Sequence, residues 1–348
     1  MPQEAAFAIP GDIQTRTGGT IYDRRMLESL NEIGLPTGHI ALLSSWPQPT
    51  PEAEADLARQ LAALAEGVPV VMDGLVFGAM DTVTLAAQAR RIIVMLHHPL
   101  GLEAGLPPAL AQHLLQRERA NLRHAAHVVV PSPHTRECLI QDFGVAPERI
   151  SVALPGFDRP AIAPLAPKAT PPLILAVGII CQRKGHDILL DALGRIAHLD
   201  WQAAIVGMVQ DDRLYAGLRA QRAALGLEGR VEFTGGLGPQ ALDQLYRQAT
   251  LFALATRYEG YGMVLSEAQL YGLPIVSCAV GAVPQTVSAA SAILAPPEDA
   301  VAFADGLARL LQDEGLRARM AGASAAQAAH LPQWRDAAQI MRRAILGA

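Results

Sequence analysis

Short apolar runs alternate along this chain with longer stretches whose apolar residues recur every three or four positions. The runs fall at 5–9, 39–43, 68–71, 91–96, 127–130 and 150–154, and again at 173–177, 201–206, 230–234, 251–255 and 274–277. Each is short enough to be a strand. Helical stretches separate them, from Thr17-Gly18-Gly19-Thr20 to about Glu32, then at 51–66, 107–126, 188–197, 239–248 and from Met263 to the stop at Gly272-Leu273-Pro274. Strand and helix in strict alternation predict an α/β protein with parallel sheets.

The alternation is interrupted once. Residues 159–172 are rich in proline and alanine and have little periodicity, which reads as a semi-rigid linker. The expected domains are therefore 1–158 and 173–332. The tail, from about Pro297, is helical and alanine-rich. A length of 348 residues suits two domains, and 51% hydrophobic residues suit sizeable cores. A net charge of −5 excludes a nucleic-acid binder working through bulk positive charge. The cysteines Cys138, Cys181 and Cys278 are scattered with no C-x-x-C spacing, as reduced thiols of a cytoplasmic protein would be, with neither disulfide framework nor zinc site. The start, Met1-Pro2-Gln3-Glu4, lacks a basic signal-peptide region, and no uncharged apolar run reaches the ~18 residues of a membrane span. A cytoplasmic location is expected, with peripheral membrane contact left open.

Candidate chemistry sits where predicted strands end. Residues 256–274 read T-R-Y-E-G-Y-G-M-V-L-S-E-A-Q-L-Y-G-L-P. A strand, a loop with Gly260 and Gly262, and a helix starting near Met263 place a helix N-terminus against a bound anion. Glu259 and Glu267 bracket the loop as acceptor-only groups able to take pairs of hydroxyl donors. A ligand carrying phosphate and sugar diols fits this combination. In the loop 178–187, Arg183 and Lys184 are adjacent cations before a helix, placed to neutralise a diphosphate. Lysine occurs elsewhere only at Lys168. Asp73, and the pair His97-His98, stand at carboxyl ends of predicted parallel strands, where open α/β sheets bind ligands. Asp73 reads equally well as a turn residue before Gly74. His97 is the first choice for a site histidine and His98 the second, and Glu103 follows in Gly101-Leu102-Glu103 as a further candidate.

Glu259-Gly260-Tyr261-Gly262 followed by Ser266-Glu267-Ala268 resembles the E-x7-E signature of retaining, GT-B-fold glycosyltransferases of family 4. Gly178, Lys184, Gly185 and Asp187 resemble that family's G-x5-K-G-x-D donor motif, and Gly281 to Pro284 its G-G-x-P-E turn. Pro155-Gly156-Phe157-Asp158 looks like the turn that ends its N-terminal domain. Ile179 stands where most relatives have arginine, a charge that Arg183 could replace, and Ala282 and Gln285 also depart from the pattern. The resemblance implies two doubly wound Rossmann-like domains facing a cleft, with a last helix at 333–348 returning to the N-terminal domain. It implies transfer of a hexose from a nucleotide-diphosphate sugar to a hydroxyl acceptor with retention. His97, Glu259 and Lys184 would be the catalytic groups. Gly18 and Gly19 would face the diphosphate held by Arg183 and Lys184. Glu259 would take sugar hydroxyls and Glu267 ribose hydroxyls, with Gly260, Tyr261, Gly262 and Met263 completing the anion site. His97 would lie close to donor sugar and acceptor, with His98, Asp73 and Glu103 on the acceptor side. The departures leave a catalytically silent nucleotide-sugar binder open, and a nucleotide-sugar 2-epimerase shares the fold. A pyridoxal phosphate phosphorylase fits poorly, since Lys168 and Lys184 are the only lysines. No metal is expected: there is no D-x-D triplet, and Asp211-Asp212-Arg213 begins a predicted surface helix.

Overall fold

In the computed structural model, which describes residues 4–159 and 167–347, the chain divides into two compact units. One comprises Met1–Phe157 with Pro332–Ala348, the other Asp158–Leu331. Half of the proline-rich stretch expected to be a linker, residues 160–166, lies outside the described residues.

The first unit is built on six parallel strands, β1 (Ala5–Pro10), β2 (Thr37–Leu42), β3 (Val70–Asp73), β4 (Ile92–Met95), β5 (His127–Val130) and β6 (Ile150–Val152). Their spatial order is β2-β1-β3-β4-β5-β6. The sheet therefore grows one way from β1 to β2 and the other way from β3 onward. The loops that leave β1 and β3 diverge at this reversal, which opens a crevice at the carboxyl ends. Both faces of the sheet are covered, so β1, β3 and β4 are buried at nearly every position. That is why they read as unbroken apolar runs rather than alternating ones.

The helix Gly18–Glu32 starts after Thr17, whose hydroxyl accepts the Thr20 N–H. Tyr22, Met26 and Leu30 bury its apolar stripe, and Asp23 is buried with them. The helix Pro51–Ala62 stops short of the expected 66, and the chain reverses at Gly67 with φ +79° to enter β3. Between β3 and β4 lie two short helices that the apolar pattern does not predict, Gly74–Ala79 and Thr82–Ala86, capped by Asp73 and Asp81. They end before periodicity can build up.

The helix Pro108–Asn121 also ends before the expected 126. Its inward face is Leu114, Glu118 and Asn121. The two polar groups tie loops to this helix. Asn121 donates from its amide to the carbonyls of Phe77 and Met80, where Gly74–Ala79 ends. Glu118 accepts the Leu100 N–H after β4, and Gly78 leaves room for it: a Cβ there would lie 2.8 Å from Glu118 Oε1. The helix Trp334–Leu346 packs in this unit, with Trp334 edge-on to Tyr22 at 5.3 Å.

The second unit repeats the layout. Its parallel strands are β7 (Leu173–Val177), β8 (Gln202–Val206), β9 (Val231–Gly235), β10 (Leu251–Leu254), β11 (Ile275–Cys278) and β12 (Ala292–Ala295), ordered β12-β11-β10-β7-β8-β9. Here the reversal lies between β7 and β10. Separate apolar clusters cover the two faces of the sheet. β12 was not predicted; its Ala-Ile-Leu-Ala run is short and only half-buried. The cysteines are unpaired, and among the described residues no helix is long and apolar enough to cross a membrane.

Burial pushes the Glu118 carboxyl up to about 8, against the Leu100 N–H, which favours the ionised form. Between the ordinary glutamate range and pH 8 the unfolded chain ionises here while the folded chain keeps its proton. Stability supplied by this group is therefore full at acid pH and lost as pH rises towards 8. Glu118→Gln should gain on the wild type by on the order of a few kcal/mol between about pH 5 and 8, then level off. Urea unfolding of both proteins across that range measures the gap; a gap independent of pH would show that the carboxyl is already ionised in the fold.

Candidate active site

At the reversal of the second sheet, the loop leaving β7 meets the loop leaving β10. Lys184 Nζ lies 2.7 Å from Glu259 Oε1, with both residues buried. The hydroxyl of Thr256 donates to the same oxygen at 2.9 Å, and Arg183 Nη1 stands 3.7 Å from Oε2. Burial alone would raise the Glu259 carboxyl. The charges of Lys184 and Arg183 and the hydrogen bonds from Lys184 and Thr256 outweigh it and hold Glu259 below its ordinary range. Arg183 thus delivers a guanidinium to this cluster although Ile179 supplies none.

The backbone around the cluster leaves no room for side chains. Gly185 adopts φ +62°, and a Cβ there would lie 1.9 Å from the Ala255 carbonyl. A Cβ on Gly281 would lie 2.4 Å from the Glu259 carbonyl, which accepts the Ala282 N–H at 2.9 Å. The third motif block therefore packs beneath Glu259, and the departure at Ala282 keeps the backbone bond. Arg257 ties the loops laterally. It pairs with both Asp187 oxygens at 2.9 and 2.8 Å, reaches Glu298 at 2.6 Å and donates to the Gln182 carbonyl.

Gly262, at φ +88°, turns the chain into the helix Met263–Leu270. The N–H groups of Met263 and Val264 open that helix and have no partner within it. Tyr261 is held by its hydroxyl at Ser266, 3.1 Å, and by its carbonyl, which accepts from Thr286. Glu267 accepts the Tyr246 hydroxyl at 2.9 Å. Burial raises its carboxyl, against that bond and the charge of Lys184.

In the first unit, the helix Gly18–Glu32 presents Gly19, Tyr22 and Asp23 to His97, three positions on one helical face. A Cβ on Gly19 would lie 3.3 Å from His97 Cδ2, and the Tyr22 ring stands edge-on at 5.2 Å. His97 Nε2 is 2.9 Å from Asp23 Oδ1 and 3.7 Å from Asp73 Oδ2. A carboxylate oxygen of Asp23 lies within 4.8 Å of one of Asp73. Burial raises both carboxyls, Asp23 to about 7 and Asp73 well above its ordinary range, and lowers His97. Asp73 is also the cap of its helix, accepting the Leu75 N–H at 2.6 Å. His98 is elsewhere engaged, 3.0 Å from Glu103. Gly18 is exposed with open space around it.

The residues singled out from the sequence therefore form two groups in the second unit, around Glu259 and around Glu267, and two in the first. Asp23, Tyr246, Thr256 and Arg257 escaped that reading. Asp23 carried one usable signal: it follows Gly19 by four positions in a helix. Asp23, Asp73 and His97 are also the one set among the described residues whose ligand atoms, all within 4.8 Å, could hold a metal. Asp211 caps the helix Asp212–Ala224 through the Leu214 N–H.

Residues 159–327 match the glycosyl transferases group 1 family, and residues 46–159 match glycosyltransferase family 4. The chain belongs to this family of glycosyl transferases. Among curated family relatives, mannosylfructose-phosphate synthase of Agrobacterium fabrum is 29% identical over 65% of this chain and 54% of its own. D-inositol 3-phosphate glycosyltransferase 1 of Catenulispora acidiphila is 30% identical over 76% of this chain and 63% of its own. The matches thus span about half to under two thirds of those relatives. Sucrose-phosphate synthase from Thermosynechococcus elongatus superposes with a TM-score of 0.81 at 20% identity, covering 99% of this chain and 100% of that one. The Anabaena protein HepE, solved with UDP-glucose, gives 0.76 at 18%, covering 99% and 100%. The fold is the GT-B fold of this family.

The Lys184–Glu259 pair makes a pH-dependent contribution to stability. Because the folded carboxyl is depressed, its contribution is full above the ordinary glutamate range and is lost as pH falls through the lowered value. Glu259→Gln should be less stable than the wild type by about 3–5 kcal/mol at neutral pH, since it leaves Lys184 buried without its anion. The deficit should shrink below about pH 4. Urea midpoints at neutral and acid pH decide; a deficit of equal size at both would mean that the carboxylate charge contributes nothing.

Proposed function

We propose that this chain transfers a sugar from a nucleotide-diphosphate sugar to a hydroxyl acceptor with retention of anomeric configuration. The observation that carries the reading is the convergence of Lys184, Arg183 and Glu259 at a sheet reversal, beside the opened N-terminus of Met263–Leu270. Lys184, Arg183 and the N–H groups from Gly260 to Met263 would take the diphosphate, on the acceptor-only Glu259 would fall the sugar hydroxyls, and on Glu267 the ribose diol. Gly18 and Gly19 would line the diphosphate, and His97 the acceptor, with Asp73, His98 and Glu103 near it. In the reaction the anomeric carbon–phosphate oxygen bond breaks and the acceptor oxygen bonds to the same face of that carbon. The acceptor proton goes to the departing phosphate oxygen, the base closest to it on that face. Catalysis is then mainly stabilisation of departing negative charge by groups already in place. UDP-glucose is the first donor to try, since HepE was solved with it.

Glu267 sits next to the loop and is already positioned by Tyr246. Glu267→Ala should weaken UDP binding by ~1.5–3 kcal/mol, the range for a hydrogen bond to a charged group. Unchanged affinity in isothermal titration would remove Glu267 from the nucleotide site.

The departing charge is met by fixed cations, so no metal and no other cofactor is required. Transfer from labelled UDP-glucose and a panel of other nucleotide sugars should be equal in EDTA and in Mn²⁺. Lys184→Ala should lose ~10²-fold or more in turnover, the scale seen when a preorganised stabilising group is removed, and added metal should not restore it. Turnover that EDTA abolishes and Mn²⁺ recovers would overturn this account of the leaving group. Tight nucleotide-sugar binding with no product from any acceptor would instead identify a silent binder.

A further inference from the structure

His97 has two ring nitrogens, and the structure treats them differently. Nε2 points at Asp23 Oδ1 at 2.9 Å, while among the described residues Nδ1 has no hydrogen-bond partner. Nδ1 is not among the buried unsatisfied atoms either, so it is open to a ligand. The groups that face the ring are Tyr22 and Asp23 from Gly18–Glu32 and Asp73 from β3. The Tyr22 hydroxyl is committed to the Ala153 carbonyl at 2.7 Å, and Trp334 lies beyond it with Arg25 over its ring. Among the described residues the charged groups against His97 are thus the carboxyls of Asp23 and Asp73.

Asp23 is buried and lies opposite one nitrogen of the ring only, 2.9 Å from Nε2. Asp73 accepts the Leu75 N–H with one oxygen, and its other oxygen stands farther from Nε2, at 3.7 Å. A carboxylate accepts, so the 2.9 Å contact places the ring proton on Nε2.

We propose that Asp23 is a positioning residue that holds His97 as the neutral Nε2–H tautomer, so that Nδ1 is presented bare to accept a hydrogen bond from a ligand hydroxyl. The nature of that ligand rests on the glycosyl-transfer reading; the tautomer does not. A group acting through another in this way fixes which nitrogen is base and which is donor. Asp23 itself touches no reacting atom.

The test uses the full chain with ¹⁵N-labelled histidine and neither donor nor acceptor present, so a failed transfer assay leaves it unaffected. His97→Gln identifies the His97 signals among the ten histidines. At neutral pH they should show a protonated, exchange-protected Nε2 and an unprotonated Nδ1. Asp23→Leu, which keeps the site apolar, should abolish the protected Nε2–H signal. Asp73→Asn, whose side-chain oxygen can still accept the Leu75 N–H, should leave it in place. A wild-type spectrum with Nδ1–H or imidazolium overturns the proposal, even if Asp23→Leu does not fold. So does an unchanged signal in Asp23→Leu, or its loss in Asp73→Asn. Selective broadening of the His97 signals by substoichiometric Mn²⁺ overturns it as well, since a metal at Nε2 would replace the proton.

Discussion

The second unit depends on one buried ion pair, Lys184 with Glu259. Neither charge is stable alone inside the fold, and removing either strands the other. The pair survives because its geometry is short and its spare valences are filled by Thr256 and Arg183. That geometry exists only where two strand ends lie side by side, 75 residues apart in sequence. Gly185 and Gly281 are the conditions for it, since each lets one backbone approach another more closely than any side chain would allow. Arg257 supplies the lateral tie through Asp187 and Glu298.

The first unit repeats the topology with different chemistry. At its sheet reversal two carboxyls, Asp23 and Asp73, stand beside His97. The face that Gly18–Glu32 turns to His97 is set by Gly19, Tyr22 and Asp23 at the spacing of one helical turn. Behind it, Glu118 and Asn121 hold the loops after β3 and β4 from below.

Much of this was legible in the sequence, because strands covered on both faces have to be unbroken apolar runs and helices between them have to be periodic. Eleven of the strands appear in that pattern within a few residues, as do the glycine loops and the groups at strand ends, Asp73, His97, Lys184 and Glu259. The short helices Gly74–Ala79 and Thr82–Ala86 and the edge strand β12 did not, since each is too brief or too lightly buried to impose a period.

What only the tertiary structure decided is which polar groups meet. Asp23 in mid-helix looks like any solvated aspartate until helix packing turns it inward. Thr256 and Arg257 belong to a loop whose partners Arg183 and Asp187 stand at the neighbouring strand end, 73 and 70 residues away in sequence. Glu118 occupies a position where helical periodicity calls for an apolar residue. The identity of a residue and its place along a helix or strand are local properties that sequence carries. The partner of a buried charge is a property of strand order, and that is settled only when the sheet closes around β1 in one unit and around β7 in the other.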